Sequence, residues 1–166
     1  MVFDDVTEAL RLTMRCFASS VTILSALHDG RRYAMAATSV QSLSFDPPSI
    51  LTCVNRSAAM HLPLLDGSAF CVNILATSHV EVAKACGGGL RGEERFAVGD
   101  WDINDNGVPY LADAQASLFC ACDGHIPYGT HGIFIGKILD ARMQDEISPL
   151  LYADGAYRQV SADPVN

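Results

Sequence analysis

The chain of 166 residues is 49% hydrophobic and 18% charged, the composition of a globular protein with one substantial core rather than of a disordered or fibrous one. Its net charge of −8 argues against nucleic acid as a partner, because contacts to phosphates require clustered Lys and Arg. The first residues include acids and no apolar run is longer than a strand, so we expect neither a signal peptide nor a membrane span and predict a cytoplasmic protein.

The first half of the chain predicts one helix followed by short strands. Apolar residues at helical spacing, with acids at the start, predict a helix over Asp5–Phe17. His28-Asp29-Gly30 predicts a hairpin turn, and Asp46-Pro47-Pro48 interrupts the chain because proline removes a backbone donor. Ser57 is expected to cap a short helix that ends at Gly67, and Pro63 limits the regularity of that helix, so it starts either at Ser57 or only near Leu62. The strands predicted in this half are Ser20–Leu27, Tyr33–Leu43, Ser49–Asn55 and Ala69–Leu75.

The second half predicts a further helix and more strands. Ser78 is a candidate N-cap for a helix over His79–Cys86, in which Glu81 completes a capping box. The segment Gly87–Gly92 predicts a flexible connection, since it lacks the Lys-Ser/Thr ending of a phosphate-binding loop. The strands predicted here are Ala114–Cys122 and Gly132–Arg142, with short edge strands at Leu150–Tyr152 and Tyr157–Val160.

Together these elements indicate a mainly β fold. Many short strands with few helices are typical of an antiparallel barrel with appended helices. The strands do not alternate with long helices, which argues against a doubly wound dinucleotide-binding fold. No linker or internal repeat divides the sequence, so we predict a single domain over residues 1–166.

The cysteines and histidines give no sign of a metal site. The six cysteines form no Cys-x-x-Cys pair, and most lie in apolar runs, where free cysteines act as small hydrophobic side chains. The five histidines lack helical metal-ligand spacing. His131 differs from the others because it stands where a loop meets a strand, so it is either a functional side chain or a turn histidine bonded to the backbone.

The segment from Ala36 to His61 is rich in small polar side chains beside a hydrophobic strand. Its hydroxyls and amides suit the polar edge of an isoalloxazine ring, a ribityl chain and a phosphate. Periodicity alone equally allows these side chains to face solvent from a half-buried strand. The residues concerned are Thr38, Ser39, Ser42, Asn55 and Ser57.

The order of several short segments resembles the short-chain flavin reductase family, whose members are NAD(P)H:flavin oxidoreductases that feed reduced flavin to two-component monooxygenases. The resemblance runs from about Ala9 to Tyr157 and is most specific over Ser39–Asn55. The segments that carry it are SVTILSA, AATSVQSLSFDPPSILTCVN, FCVNIL, ERF, GTHGIFIGKI and PLLYADGAY.

The resemblance implies an FMN-binding split β-barrel of Greek-key type, assembled as a homodimer with the flavin near the subunit interface. The positions implied around the flavin ring are Ala37, Thr38, Ser39, Cys53, Val54, Asn55 and Phe96. Those implied near the ribityl chain and phosphate are Ser57 and His61, and those near the nicotinamide are His131, the catalytic candidate, and Tyr157.

Two departures from the family pattern concern this site. The family's Gly-Asp-His reads Gly129-Thr130-His131 here, so the carboxylate that would orient the imidazole is missing. The glycine that often precedes the flavin-lining segment is replaced around Ala34-Met35-Ala36, which leaves the choice between FMN and FAD open.

The implied reaction is hydride transfer from NADH to FMN or FAD, followed by delivery of the reduced flavin to a partner monooxygenase. NADH is favoured over NADPH because few basic residues lie near the expected site. His131 would position the nicotinamide or donate a proton. Two alternatives remain open: a flavoprotein that reduces a bound metal complex such as a corrinoid, and a non-enzymatic flavin-binding module.

Overall fold

The computed structural model describes residues 5–161, and their main feature is a large antiparallel sheet with short helices around it. The α-helices are α1 (Val6–Thr13), α2 (His61–Leu65) and α3 (Val80–Lys84). The first strands are β1 (Ser19–Ser20), β2 (Thr22–His28), β3 (Arg31–Ala37), β4 (Val40–Phe45), β5 (Pro48–Asn55) and β6 (Phe70–Ile74). The later strands are β7 (Trp101–Ile103), β8 (Pro109–Leu111), β9 (Ala116–Tyr128), β10 (His131–Met143), β11 (Leu151–Ala153) and β12 (Ala156–Arg158).

The seven-stranded sheet closes on itself. Its strand order is β3-β2-β6-β9-β10-β5-β4, so β3 and β4 occupy opposite edges. Only Thr38 and Ser39 connect these two strands, and such a connection spans at most about 11 Å. The two edges must therefore approach each other at this corner, which makes the sheet a barrel. The predicted antiparallel barrel is confirmed.

The barrel corner corrects the prediction of one strand over Tyr33–Leu43. The chain instead forms two strands, β3 paired with β2 and β4 paired with β5. Neither Gly nor Pro marks the break at Thr38 and Ser39, because the chain changes partner strand there without a tight turn. The polar residues of this corner are thus held between two edges of the sheet.

The two predicted interruptions of the first half are confirmed as hairpin connections. Asp29 and Gly30 have φ values of 48° and 72° and connect β2 to β3. Two central residues with positive φ are typical of a type I′ turn, whose twist matches that of the strands. The second connection, at Asp46-Pro47, joins β4 to β5.

The hairpin of β9 and β10 is longer than predicted. The sequence predicted a strand that ends at Cys122, but β9 continues to Tyr128. Of the residues of β9, only Ala116–Cys120 pair with β6. The outer part of β9 therefore pairs with β10 alone and tolerates Pro127.

The helix starts correct two predicted caps. α2 begins at His61, beside the later of the two predicted starts, and Ser57 is not its cap because its amide and hydroxyl both donate to Asn55 Oδ1. α3 begins after a 3₁₀ turn, and the backbone amide of Ala76 donates to His79 Nδ1, so Ser78 is not its cap. Helix α1 and the 3₁₀ turn after it confirm the predicted first helix.

The glycine-rich segment and one hairpin also differ from expectation. Ala85–Gly89 continues α3 as a π-helical turn and Gly92–Ala97 is a 3₁₀ helix, so the segment is more regular than a flexible connection. The small hairpin of β7 and β8 was not predicted, although Asn104 accepts the turn amides between its strands. The predicted C-terminal edge strands are confirmed as β11, which pairs with β1, and β12, which pairs with β11.

Two buried clusters fill the fold. Inside the barrel, Leu24, Phe70 and Phe134 are fully buried, and Met60 closes one end. Outside it, α3 packs Val82 and Ala83 against a second cluster that contains Phe96. All six cysteines are free, and desolvation raises the pKa of Cys86 to about 11 and of Cys120 to about 12. No helix within residues 5–161 is long and apolar enough to cross a membrane.

Candidate functional site

The barrel corner brings several predicted site residues together. Ala37 ends β3, and its carbonyl accepts the Thr22 hydroxyl at 2.8 Å. Ser39 Oγ donates to the carbonyl of Cys53 at 2.9 Å, and the amide of Cys53 donates to the Ser39 carbonyl at 3.3 Å. These contacts fix Thr38, whose side chain is exposed, at the closing edge of the barrel.

A second polar group lies two residues further along β5, about 7 Å from Cys53. Asn55 is the register partner of His131 on β10. Asn55 Oδ1 accepts the amide and the hydroxyl of Ser57, each at 2.9 Å. The amide of Arg56 donates to the carbonyl of Thr130 at 3.0 Å, which ties this loop to the β9–β10 turn. The predicted residues Asn55, Ser57 and His131 are therefore neighbours.

His131 is oriented by Thr130, the residue that precedes it. Its side chain is exposed, and Thr130 Oγ1 lies 2.9 Å from His131 Nδ1. A hydroxyl can donate to an unprotonated Nδ1 or accept from a protonated one. Thr130 thus fixes the ring while leaving Nε2 directed away from this bond.

A cavity of about 230 Å³ adjoins the corner. It brings Ala37 and Thr38 together with Tyr157, and its remaining walls are Val21, Ala36, Gly87 and Tyr152. Tyr152 and Tyr157 pack edge to face with ring centroids 5.5 Å apart. Burial, with Tyr152 close by, raises the pKa of Tyr157, so its hydroxyl stays protonated at neutral pH and can donate a hydrogen bond.

Three predicted residues present their side chains elsewhere. Val54 is fully buried in the barrel core, so only its backbone could reach a ligand. Phe96 is nearly buried, packs edge to face on Trp101 at 4.7 Å and lies under the Arg32 guanidinium at 4.2 Å. Both side chains serve packing in this structure.

His61 is the third of these residues. Its ring packs edge to face on Phe134 at 5.3 Å and on His125 at 6.0 Å. Burial, followed by the charges of His125 and Arg56, lowers the pKa of His61 and favours the neutral ring. A neutral imidazole facing an aromatic ring suits a packing role better than a phosphate contact.

Sequence reasoning missed three features of this site. Tyr152 and Gly87 line the cavity, but neither stood out by type or spacing. His125 stacks on Phe134 at 4.7 Å, and Gly132 leaves room for it, because a Cβ there would lie 2.7 Å from His125 Nε2. The glycine next to His131 was the available signal.

The donor set suits a flat ligand with a polar edge. Backbone groups and the hydroxyls of Thr38 and Ser39 lie at one side, and the tyrosine-lined cavity provides an apolar wall at the other. The loop of Asn55 and Ser57 adds polar groups for an anionic chain, although the amide and the hydroxyl of Ser57 both donate to Asn55 Oδ1 in this structure. These residues therefore fit an isoalloxazine ring with its ribityl phosphate, and no general base is needed for a hydride transfer at such a ring.

Comparison with known proteins agrees with this chemistry. The family model described as "Flavin reductase like domain" matches residues 14–161. The reductase component of the FADH(2)-dependent resorcinol hydroxylase of Rhizobium sp. (strain MTP-10005) is 38% identical over 156 residues, which cover 93% of this chain and 87% of that protein. The FMN reductase (NADH) RutF of Pseudomonas syringae is 30% identical over 155 residues, with 93% and 87% covered.

Solved structures give the same result at the level of the fold. The NADH:FAD oxidoreductase SgcE6 of Streptomyces globisporus, in complex with NAD and FAD fragments, superposes with a TM-score of 0.89 at 26% identity, covering 98% of this chain and 99% of that one. BorF, the flavin reductase component of a bacterial two-component tryptophan halogenase, superposes with a TM-score of 0.85 at 32% identity, covering 95% and 99%.

Proposed function

The chain belongs to the flavin reductase family, and from that membership we propose that it transfers hydride from NADH to FMN or FAD and supplies the reduced flavin to a partner monooxygenase. The observation that carries the proposal is the barrel corner. There Thr38 and Ser39 meet Cys53 beside a tyrosine-lined cavity. Family membership lends no support to the corrinoid-reducing or the non-enzymatic alternative.

The proposed role of the protein is to bind and orient two flat rings. A bound flavin supplies the hydride acceptor at N5, and a dihydronicotinamide supplies the hydride. Ala37, Thr38 and Ser39 would hold the polar edge of the flavin ring, with Cys53 and Asn55 beside it. Ser57 would bind the ribityl phosphate by exchanging its amide or hydroxyl bond to Asn55 Oδ1 for one to the phosphate.

His131 and Tyr157 are proposed to serve the nicotinamide. The position of His131 opposite Asn55 supports this role, since both lie at the open end of β5 and β10. Holding the donor and acceptor rings in contact removes most of the entropic cost of the encounter. His131 would orient the nicotinamide or donate a proton, and Tyr157 would form the apolar wall.

A homodimer is proposed from the exposed apolar side chains of the outer β9–β10 hairpin and the β4–β5 connection. Phe45 is 91% exposed, Tyr128 78% and Ile126 54%. Exposed apolar surfaces of this kind are typical of interfaces between subunits. The cytoplasmic location predicted from the sequence likewise stays a proposal, for which cell fractionation is the test.

The test of the proposed function is steady-state oxidation of NADH and of NADPH with catalytic protein and excess FMN, FAD or riboflavin, followed at 340 nm. We expect multiple turnovers with NADH and at least one flavin. Tight flavin binding without turnover would instead indicate a binding module. Turnover only when a corrinoid is added would indicate the metal-complex alternative, and no turnover with any acceptor would refute the proposal.

A further inference from the structure

A second, larger cavity of about 440 Å³ is lined in part by Ala59 and Met60, which follow Ser57 in the chain. It lies between the β2–β3 hairpin, the residues before α2 and the 3₁₀ helix Gly92–Ala97. Three of the chain's eleven basic residues line it, in a protein of net charge −8. Its volume is within the range of small-molecule sites, about 300–1,000 Å³. The side chains that matter are Arg31, Arg32, Arg95, Tyr33, Met60 and Glu93.

The arginines of this cavity leave a surplus of positive charge. Arg32 forms an ion pair with Glu93 and covers the Phe96 ring at 4.2 Å. Arg95 donates to the backbone carbonyls of Leu90 and Ala34, so its charge has no carboxylate partner. Within residues 5–161 the Arg31 side chain makes no hydrogen bond or ion pair with the protein. Arg31 is therefore the guanidinium that is free to bind an anion.

The remaining walls suit a planar base. Tyr33 is half-buried and contributes an aromatic ring to the cavity. Ala59 and Met60 add apolar atoms to the lining of the cavity. Guanidinium groups recognise phosphate by charge-assisted hydrogen bonds, and aromatic rings stack on nucleobases. A phosphate and a base together define a nucleoside monophosphate.

The arginine cavity is continuous with the proposed flavin site in two ways. Ala59 follows Ser57, the proposed ribityl-phosphate contact, by two residues of the same loop. The segment after α3 lies along β3, with Gly87 at Ala36 and Arg95 at Ala34. Thr38 follows Tyr33 by five positions along the chain, which corresponds to a distance of about 17 Å in an extended strand. One dinucleotide could therefore place its redox ring at Thr38 and its other end at Arg31.

We propose that the arginine cavity binds an adenosine monophosphate group, and that this group is the half of FAD that FMN lacks. The inference rests on the proposed function, because it extends the same flavin site. The adenylate of NADH has the same chemistry, so the experiment must distinguish the two dinucleotides. Binding of the adenylate of FAD here would make FAD the preferred flavin.

The test compares the wild-type protein with Arg31→Gln and with Arg11→Gln, which removes a charge from the exposed helix α1 instead. Steady-state KM values are measured for FAD, FMN, NADH and reduced nicotinamide mononucleotide, and the affinity for 5′-AMP is measured by calorimetry. Losing one charge-assisted bond should raise the KM for FAD about 10-fold relative to that for FMN and weaken 5′-AMP binding by a similar factor. Arg11→Gln should change neither.

A rise in the KM for NADH, relative to that for reduced nicotinamide mononucleotide, with an unchanged ratio of FAD to FMN, would overturn the assignment to FAD and give the subsite to the nicotinamide dinucleotide. Unchanged ratios for both dinucleotides, with 5′-AMP binding intact, would overturn the subsite altogether. Because FMN and reduced nicotinamide mononucleotide carry no adenylate, their turnover by the wild-type protein reports on the proposed function separately. Tyr33→Leu provides a second variant, in which weaker 5′-AMP binding is expected from lost stacking.

Discussion

At the scale of single residues, Thr130 and His131 form the pair at which the resemblance implied a missing carboxylate. The sequence places Thr130 directly before His131. The structure adds that the Thr130 hydroxyl lies 2.9 Å from Nδ1, so the orienting contact is kept by a neutral group. The identity of the substituted residue could be read from the sequence, whereas the bond itself depends on the φ and ψ angles of the β9–β10 turn.

The contact predicts the behaviour of Thr130→Val, which keeps the side-chain shape and removes the hydroxyl. Loss of one hydrogen bond of about 0.5–1.5 kcal/mol should lower kcat with NADH roughly 2–10-fold, while the KM for flavin stays unchanged. Thr130→Ser should restore kcat. Equal kcat for the valine variant and the wild type would show that the bond does not position His131.

His61 predicts a pH-dependent stability. The folded state lowers the pKa of His61 from its ordinary value of 6.5, mainly through burial. Between the two pKa values the unfolded chain binds more protons, so stability should fall as the pH drops below about 6.5. His61→Phe keeps an aromatic ring against Phe134 and removes the titration.

Thermal unfolding followed by circular dichroism between pH 7.5 and 5 checks this prediction. We expect Tm to fall less steeply with acidification for His61→Phe than for the wild type. Parallel curves for the two proteins would mean that His61 does not contribute to the slope.

At the scale of elements, two glycines of the β9–β10 hairpin differ in how closely they approach neighbouring side chains. A Cβ at Gly136 would lie 2.6 Å from Phe70 Cζ, in the centre of the barrel. A Cβ at Gly124 would meet its nearest atom, Ile135 Cδ1, at 3.4 Å, an ordinary contact. The two positions differ in packing although both lie on the same hairpin.

Gly136→Ala should therefore destabilise the fold by about 1–3 kcal/mol, as overpacking of a core does. Gly124→Ala is the matched control and should have a smaller effect. Urea unfolding at fixed pH measures both changes. A Gly136→Ala variant as stable as the control would contradict the packing argument.

Gly87 tests the tyrosine-lined cavity without disturbing the fold. Its Cβ would meet only Ala36 Cβ, at 3.8 Å, so a side chain is tolerated there. Gly87→Leu would fill part of the cavity and should raise the KM for flavin several-fold with little change in Tm, and Gly87→Ala should have a smaller effect. A flavin KM unchanged by leucine would exclude this cavity as part of the site.

Turns that depend on local side chains can be predicted from the sequence, whereas breaks and caps that depend on distant contacts cannot. The turn at Asp29-Gly30 was predictable because two residues with positive φ need particular side chains. The break at Thr38 was not, because the chain there only exchanges one partner strand for another, and strand pairing is a long-range property. The predicted cap of α3 was wrong for a similar reason, since the imidazole of His79, and not the hydroxyl of Ser78, accepts the backbone amide of Ala76.

At the scale of the whole molecule, the fold class was predictable because many short strands without regular helices leave few architectures. The site was less predictable, since it gathers side chains from both edges of one sheet. The resemblance placed Val54 and Phe96 around the flavin ring, yet both side chains pack in buried clusters. Burial of a side chain by distant elements cannot be read from the residue type alone.

The proposed homodimer gives a prediction at the same scale. Tyr128 is exposed at the outer end of β9, and Tyr128→Asp would place a charge in the proposed interface. We expect a dimer for the wild type and a larger monomer fraction for the variant by light scattering at micromolar concentration. Ile103→Asp, at an exposed apolar position on the separate β7–β8 hairpin, should leave the dimer intact. A monomeric wild type would refute the proposed assembly.

The two-residue link at Thr38-Ser39 also closes the barrel. Ser39 and Cys53 are joined there by one backbone and one side-chain hydrogen bond. A flavin bound at this link would stabilise the closed barrel relative to any form in which the strands separate, because only the closed barrel can bind it. Flavin occupancy and barrel stability would then be thermodynamically linked. The apoprotein would open most often at the place where the next flavin must enter.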